Sequence, residues 1–293
     1  MPIQKATLLR FGGVGLAVAA IGLIRLQQVQ AQRPPREPLE VQKVTDHLWV
    51  ILNNGGDVAV MTTDEGVLVV DDKFEQDGPD ILAKVKAISD KPIKYVLNTH
   101  HHGDHTGSNP FLMKNTPAQF VIQKNARANM VAGKQPGLPP ITFGDEAQVF
   151  LGGKEVSLHY VGRGHTNGDA VVLFPSERVL HAGDLYTAHA PLIDYAGHGS
   201  IVEWDKTLDR VLQLDFDTVI PGHGPVAKKA DMLKWRNGFV ELRSRAKKAC
   251  AGGGGAAEAY KRVNFSGLTD MDDSLGFLKR GMDGVCAELA NSR

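Results

Sequence analysis

The sequence predicts a mixed α/β fold in which two mixed β-sheets stack face to face with helices outside. Three observations predict it. Short apolar runs bounded by Gly, Asn and Asp read as strands. Helical patterns fall between groups of these runs. The order strands, helix, strands, helix occurs twice, in two similar halves of the chain.

The elements follow in order. Runs 47–52, 58–62 and 66–70 are strands joined by the turns Asn54-Gly55-Gly56 and Asp64-Glu65-Gly66, and the third ends in Asp71-Asp72. A helical pattern at 81–89 precedes a buried strand at 93–97. A strand at 119–122 leads into a helix near 123–132. Residues 133–146 are rich in Pro and Gly and read either as a pocket wall or as a surface connector. Strands resume at 148–151, 154–161, 169–174 and 178–182. A helix at 203–213 leads to the segment 217–224, and a long helix covers 227–250. Four glycines at 252–255 break it, and helices near 256–262 and 273–289 finish the chain. Residues 39–250 form the expected catalytic domain, and 251–293 a C-terminal helical extension.

The start of the chain is different in kind. Residues 1–31 carry Lys5, Arg10 and Arg25 and no acidic residue, around an uncharged apolar run at 11–24. Small residues at Val29-Gln30-Ala31 complete the pattern of a secretory signal cleaved near Ala31, which implies a periplasmic or secreted protein. An uncleaved anchor is the rival reading, although the apolar run is short for a membrane span. Loss of the three cations takes the formal charge from zero to −3. Residues 32–38 are a Pro/Arg-rich spacer.

The remaining composition is that of an ordinary globular protein, with 42% hydrophobic and 23% charged residues. No basic stripe points to nucleic acid. The expected partner is a small molecule, with membrane contact only in passage through the signal segment; oligomeric state is open. Cys250 and Cys286 lack metal-ligand spacing and are either a disulfide or two buried thiols.

Four of the eleven histidines fall within residues 100–105, in the pattern H-x-H-x-D-H: His100, His102, Asp104, His105. Imidazole and carboxylate are the ligands of borderline metals such as zinc. The loop leaves the end of a predicted strand, where α/β proteins concentrate chemistry. Three later motifs each put one potential ligand in a Gly-bearing turn at a strand end. These are His165 in G-H-T, Asp184 in G-D and His223 in G-H-G. Together they supply two ions: His100, His102 and His165 for one, Asp104, His105 and His223 for the other, with Asp184 able to bridge. Each ion keeps room for water or substrate, as a catalytic site requires.

In this order and spacing the motifs resemble the metallo-β-lactamase superfamily, over residues 40–250. The resemblance implies a four-layer αββα sandwich with the metal site at one edge of the sheets. It implies that Asp71 supports the metal loops, with Asp72 as the rival for that role. Aspartate at 184, where true β-lactamases carry Cys or Ser, is similar to the broader hydrolases: lactonases, glyoxalase II enzymes and phosphodiesterases. His102 stands where flavodiiron relatives carry Glu. The segment 190–200 is similar to one in a poorly characterised secreted branch.

The expected activity is that of a dinuclear zinc hydrolase with two Zn2+, Fe or Mn being the alternatives. A water shared by the ions and ionised to hydroxide would cleave an amide, lactam, lactone or other ester bond. Asp104 is the catalytic residue expected to orient that hydroxide or carry its proton. Tyr186 and His189 are candidate pocket residues, with His198 and Lys134 as further candidates; His101 is expected to point elsewhere. The rivals are a β-lactamase proper, a mononuclear iron oxygenase of the sulfur dioxygenase type, and a metal-binding protein without turnover.

Overall fold

Successive side chains of a strand point to opposite faces, and in this chain both faces are apolar. In β2 (Leu48–Leu52), β3 (Val58–Thr62) and β4 (Val67–Val70), Leu48, Val50, Ala59, Met61, Leu68 and Val70 join one buried cluster. The residues between them, Ile51, Val58, Val60, Val67 and Val69, join another. A sheet buried on both faces needs a layer on each side. The computed structural model, which describes residues 36–268 and 270–292, supplies those layers. The expected signal segment at 1–31 lies outside the described residues.

The first sheet runs β1 (Glu40–Lys43), β2, β3, β4, β5 (Ile93–Asn98), β6 (Gln119–Gln123), β7 (Ile141–Phe143) in that spatial order. Its first three pairings are antiparallel and its last three parallel. The second sheet runs β8 (Glu146–Leu151), β9 (Lys154–His159), β10 (Val171–Phe174), β11 (Val179–His181), β12 (Thr218–Ile220), β13 (Ala227–Lys228), with only β11 and β12 parallel. Val156, Leu158, Val172 and Phe174 of the second sheet meet Val50, Met61 and Leu97 of the first to form the central core. Full burial of each such side chain contributes about 1.5–3 kcal/mol.

Helices cover the outer faces. α1 (Gly78–Ile88) places Ile81 and Val85 on the first sheet. One-turn α2 (Gly103–Thr106) follows β5, and α3 (Asn109–Asn115) adds Leu112. α4 (Lys124–Ala132) follows β6. On the second sheet, α5 (Trp204–Val211) and α6 (Lys229–Ala251) bury Trp204, Leu208, Trp235 and Phe239 against Leu173, Leu180 and Val219. The four-layer αββα arrangement is the expected one.

The C-terminal segment is not an appendage. α7 (Gly255–Arg262) and α8 (Phe277–Asn291) follow the glycine break, and Leu278, Met282, Val285 and Leu289 enter the same core as Trp235. Residues 38–293 form one compact unit. Cys250 at the end of α6 is bonded to Cys286 in α8, with an S–S distance of 1.98 Å. The sequence reading missed the edge strands β1, β7 and β13, and β7 makes part of 133–146 an ordered sheet edge. No helix among the described residues is long and apolar enough to cross a membrane.

Candidate metal centre

Five chain segments converge beyond the C-terminal ends of strands. β4 delivers Asp71, β5 delivers residues 99–105, the β9–β10 connection delivers His165, β11 delivers Asp184 and β12 delivers His223. Backbone bonds lock them together: Asp72 N–H to His105 O at 3.0 Å, Gly56 N–H to Asp104 O at 3.0 Å, and Asp57 N–H to Gly222 O at 2.7 Å. Two glycines are there because nothing larger fits. A Cβ on Gly56 would lie 2.3 Å from the His105 ring, and one on Gly222 would lie 2.0 Å from Asp184 Oδ1.

Three groups of potential ligands form, each with its donor atoms within 4.8 Å of one another. One holds His100, His102, His165 and Asp184, a second holds Asp104, His105 and His223, and a third, His101, His102 and Asp194, shares His102 with the first. Asp184 lies between the first two. Its Oδ1 is 3.1 Å from His105 Nε2 and 3.3 Å from His223 Nε2. Its Oδ2 is 3.5 Å from His165 Nε2 and 4.0 Å from His100 Nε2. The structure therefore brings together all seven residues named from the sequence.

The outer nitrogens of the histidines are spoken for. His165 Nδ1–H donates to the Leu192 carbonyl at 2.7 Å, and His102 Nε2–H donates to Asp194 Oδ2 at 2.9 Å. Thr99 gives its hydroxyl hydrogen to Asp71 Oδ2 at 2.8 Å, so its oxygen accepts from His100 Nδ1–H at 3.1 Å. His105 Nδ1–H donates to Asp71 Oδ2 at 2.7 Å. These bonds fix the tautomers and turn the other nitrogen of each ring inward, as outer partners of metal-bound histidines do. His165 Nε2 then faces His102 Nδ1 at 2.8 Å. His100 Nε2 is buried with no hydrogen-bond partner. A cation satisfies all three nitrogens at once, so the donor set fits a metal ion.

Charge separates the two groups. Burial drives His100 well below the usual imidazole range, with the neighbouring His105 next in effect, and lowers His165 to about 4. These rings are neutral and ready to ligate. Burial also opposes charge on His105 and His223, but nearby carboxylates outweigh it. Asp184, Asp104 and Asp71 hold His105 well above its usual value, and Asp184 and Asp104 push His223 up to about 10. Burial would raise Asp104, yet the His105 charge and the His223 hydrogen bond hold it below the usual carboxylate range.

Asp71 and Asp72 part ways at the end of β4. Asp71, at a φ of 61°, accepts from Thr99 N–H at 2.7 Å and from His105, whereas Asp72 Oδ1 accepts from Ser108 N–H at 3.0 Å. The expected pocket residues fare worse. Tyr186 is 3% exposed and packs in the core, its ring edge-on to Trp235, which removes it from any open pocket. His189 turns to the C-terminal segment, with Nδ1 3.9 Å from Asp272 and its ring against Phe277. His198 and Lys134 are exposed turn residues with φ of 60° and 53°. His101 turns from Asp184 to Asp194, with Nε2 3.5 Å from Asp194 Oδ2, and joins His102 and Asp194 in the third group.

Three functional neighbours escaped the sequence reading. Asp194 orients His102. Fully buried Lys73 donates from Nζ to Gly56 O at 2.7 Å, and burial lowers it to about 8. Asp57, next to Gly56, is raised by burial to about 7. Asp194 alone carried a signal, its place in the 190–200 segment.

Comparison with known proteins agrees with this architecture. The family model of the metallo-beta-lactamase superfamily matches residues 53–223. The chain belongs to that superfamily, and it is a metal-dependent hydrolase of the metallo-β-lactamase-like kind. It is 24% identical over 255 residues to a metallo-beta-lactamase type 2 of Bacillus sp. (strain 170), covering 79% of this chain and 97% of that one. It is 26% identical over 192 residues to the 2,4-dinitroanisole O-demethylase subunit alpha of Nocardioides sp. (strain JS1661), covering 63% of this chain and 57% of that protein. Among solved structures, a metallo-beta-lactamase from Pontibacter korlensis superposes with a TM-score of 0.61 at 21% identity, covering 67% of this chain and 95% of the other. The DIM-1 metallo-beta-lactamase gives 0.63 at 20% identity, covering 71% and 99%.

Proposed function

We propose that the protein is a dinuclear zinc hydrolase that cleaves an amide, lactam, lactone or other ester bond in a periplasmic or secreted setting. The observation that carries this reading is Asp184, whose two oxygens face the two ligand groups separately. His100, His102 and His165 would hold one ion, Asp104, His105 and His223 the other, and Asp184 both. Bound zinc lowers the pKa of coordinated water into the neutral range and polarises a carbonyl oxygen.

The protein's own groups do the rest. Asp104 Oδ2 lies 3.3 Å from His223 Nε2 and 3.8 Å from His105 Nε2, and Asp104 is part-exposed at the open side of the second group. It is placed to accept a proton from a water attacking there and pass it to the leaving group. Asp71 holds His105 and Thr99 in place, and Leu192 and Asp194 hold His165 and His102. No protein nucleophile is required, and no G-x-S-x-G motif occurs in the sequence.

The test is a panel of chromogenic ester, lactone and β-lactam substrates on zinc-replete protein, with metal analysis in parallel. Zinc-dependent hydrolysis of at least one class, with two zinc ions per chain, is the expected result. One iron per chain with oxygen uptake would overturn it in favour of the oxygenase.

A further inference from the structure

Beside His102 lies a cavity of about 390 Å³ that the C-terminal segment helps to build. Its lining includes His102, Ile193, Asp194 and Tyr195 and, from α8, Arg280 and Gly281. We propose that this cavity is a substrate subsite in which Arg280 binds a carboxylate on the part of the substrate away from the scissile bond. The proposal rests on the hydrolytic reading above.

Position comes first. His102 turns Nδ1 toward the ligand group and Nε2 toward Asp194, so its ring separates the metal centre from this cavity by one side chain. A substrate whose reacting bond reaches the ligand groups has this cavity next door.

The wall is fixed and not a loose tail. Glu288 of α8 accepts hydrogen bonds from Tyr195 Oη at 2.9 Å, Ile201 N–H at 2.9 Å and Ser200 Oγ at 2.5 Å. A Cβ on Gly284 would lie 2.1 Å from the Tyr195 ring, so helix and turn meet at a distance only glycine allows. The disulfide ties the same helix to α6. Arg280 is thus carried on a rigid element, as a specificity residue should be.

Charge completes the argument. Arg280 is the one cation among the residues lining this cavity, and it joins no ion pair among the described residues. Its guanidinium sits 5.0 Å from the centre of the Phe277 ring, a contact that steadies it without neutralising it. The Asp194 carboxylate is already engaged by His102 at 2.9 Å and His101 at 3.5 Å. With Leu192, Ile193 and Tyr195 alongside, the cavity suits a carboxylate on a short apolar stem.

The experiment compares zinc-loaded wild type, Arg280→Ala and Arg280→Lys on a matched pair of esters, mono-4-nitrophenyl glutarate and 4-nitrophenyl butyrate. Arg280→Ala should raise the ratio of KM for the anionic ester to KM for the neutral one by about 10-fold or more, the loss expected for a charge-assisted hydrogen bond. Arg280→Lys should fall between, because it keeps the charge and loses the fork. A ratio within twofold of wild type overturns the subsite. If wild type turns over neither ester, that failure belongs to the hydrolytic reading on these substrates, and calorimetry with glutarate decides the subsite alone. Any direct binding of glutarate to zinc is common to wild type and variant. An Arg280-dependent loss of about 10-fold in affinity supports the subsite, and equal affinities overturn it.

Discussion

The two ligand groups use the same residue types and reach opposite states. The group of His100, His102 and His165 is histidine-rich, and its rings give their outer hydrogens to a hydroxyl, a carbonyl and Asp194. Burial leaves His165 near 4 and His100 well below the ordinary value. The group of Asp104, His105 and His223 sits among carboxylates that push His223 up to about 10. Metal binding should therefore release protons in the second group, whereas His100 and His165 of the first are already neutral near pH 7.

The largest effect should come from the residue the groups share. Asp184→Ala removes a carboxylate from both, so turnover should fall by more than the roughly 100-fold upper end seen for outer-shell partners. Metal content after dialysis should drop by about one ion per chain, lost first from the carboxylate group, while circular dichroism stays native. Normal activity with two tightly held ions would break the comparison.

Asp71→Asn comes next. It weakens the acceptor for His105 and for Thr99, so chelator competition should show metal affinity down about 10- to 100-fold, chiefly in the second group. Asp194→Asn should act on the first group alone, nearer the 10-fold end, because His102 is partly exposed. If Asp194→Asn instead empties the second group, the two are not held independently.

A pH series sharpens the contrast without mutation. His223 has a folded pKa above its ordinary value. Its contribution to metal-free stability is fully present below about 6.5 and lost as pH rises through about 10. Zinc affinity of the second group should rise over that same window as the proton leaves. In the first group His165, lowered to about 4, should stay available to zinc down to about pH 5. Metal content by mass spectrometry across about pH 5 to 10 checks both limbs.

The smallest effect on the site should follow reduction of Cys250–Cys286. The bond closes 36 residues, worth roughly 4 kcal/mol in the chain-entropy model, so thermal unfolding should shift down while two zinc ions stay bound.

The sequence carried the metal centre because each ligand sits in a short motif whose glycines and preceding strand are visible locally. It carried the four layers because apolar residues on both faces of a strand demand cover on both sides. It marked the 190–200 segment without singling out Asp194, because no period in that irregular stretch says which way a side chain points. Tyr186 fails for the same reason: two residues after Asp184 in sequence, it faces the core under α6. Lys73 gives no warning of burial, since a lysine after two aspartates reads as a surface turn; its place follows from the tertiary contact with Gly56. The short strands β1, β7 and β13 sit at sheet edges with mostly exposed residues, and so lack the apolar signature.

The central claim is that two unequal metal sites meet at Asp184, and native mass spectrometry of zinc-loaded protein at pH 7.5 tests it most directly. Wild type should carry two zinc ions, and His100→Ala and His223→Ala one each. The ion remaining in His223→Ala, held by the histidine-rich group, should resist acidification toward pH 5. The one remaining in His100→Ala should be lost on the way there. A wild type that saturates at one zinc ion, or single variants that lose both ions together, would contradict the account.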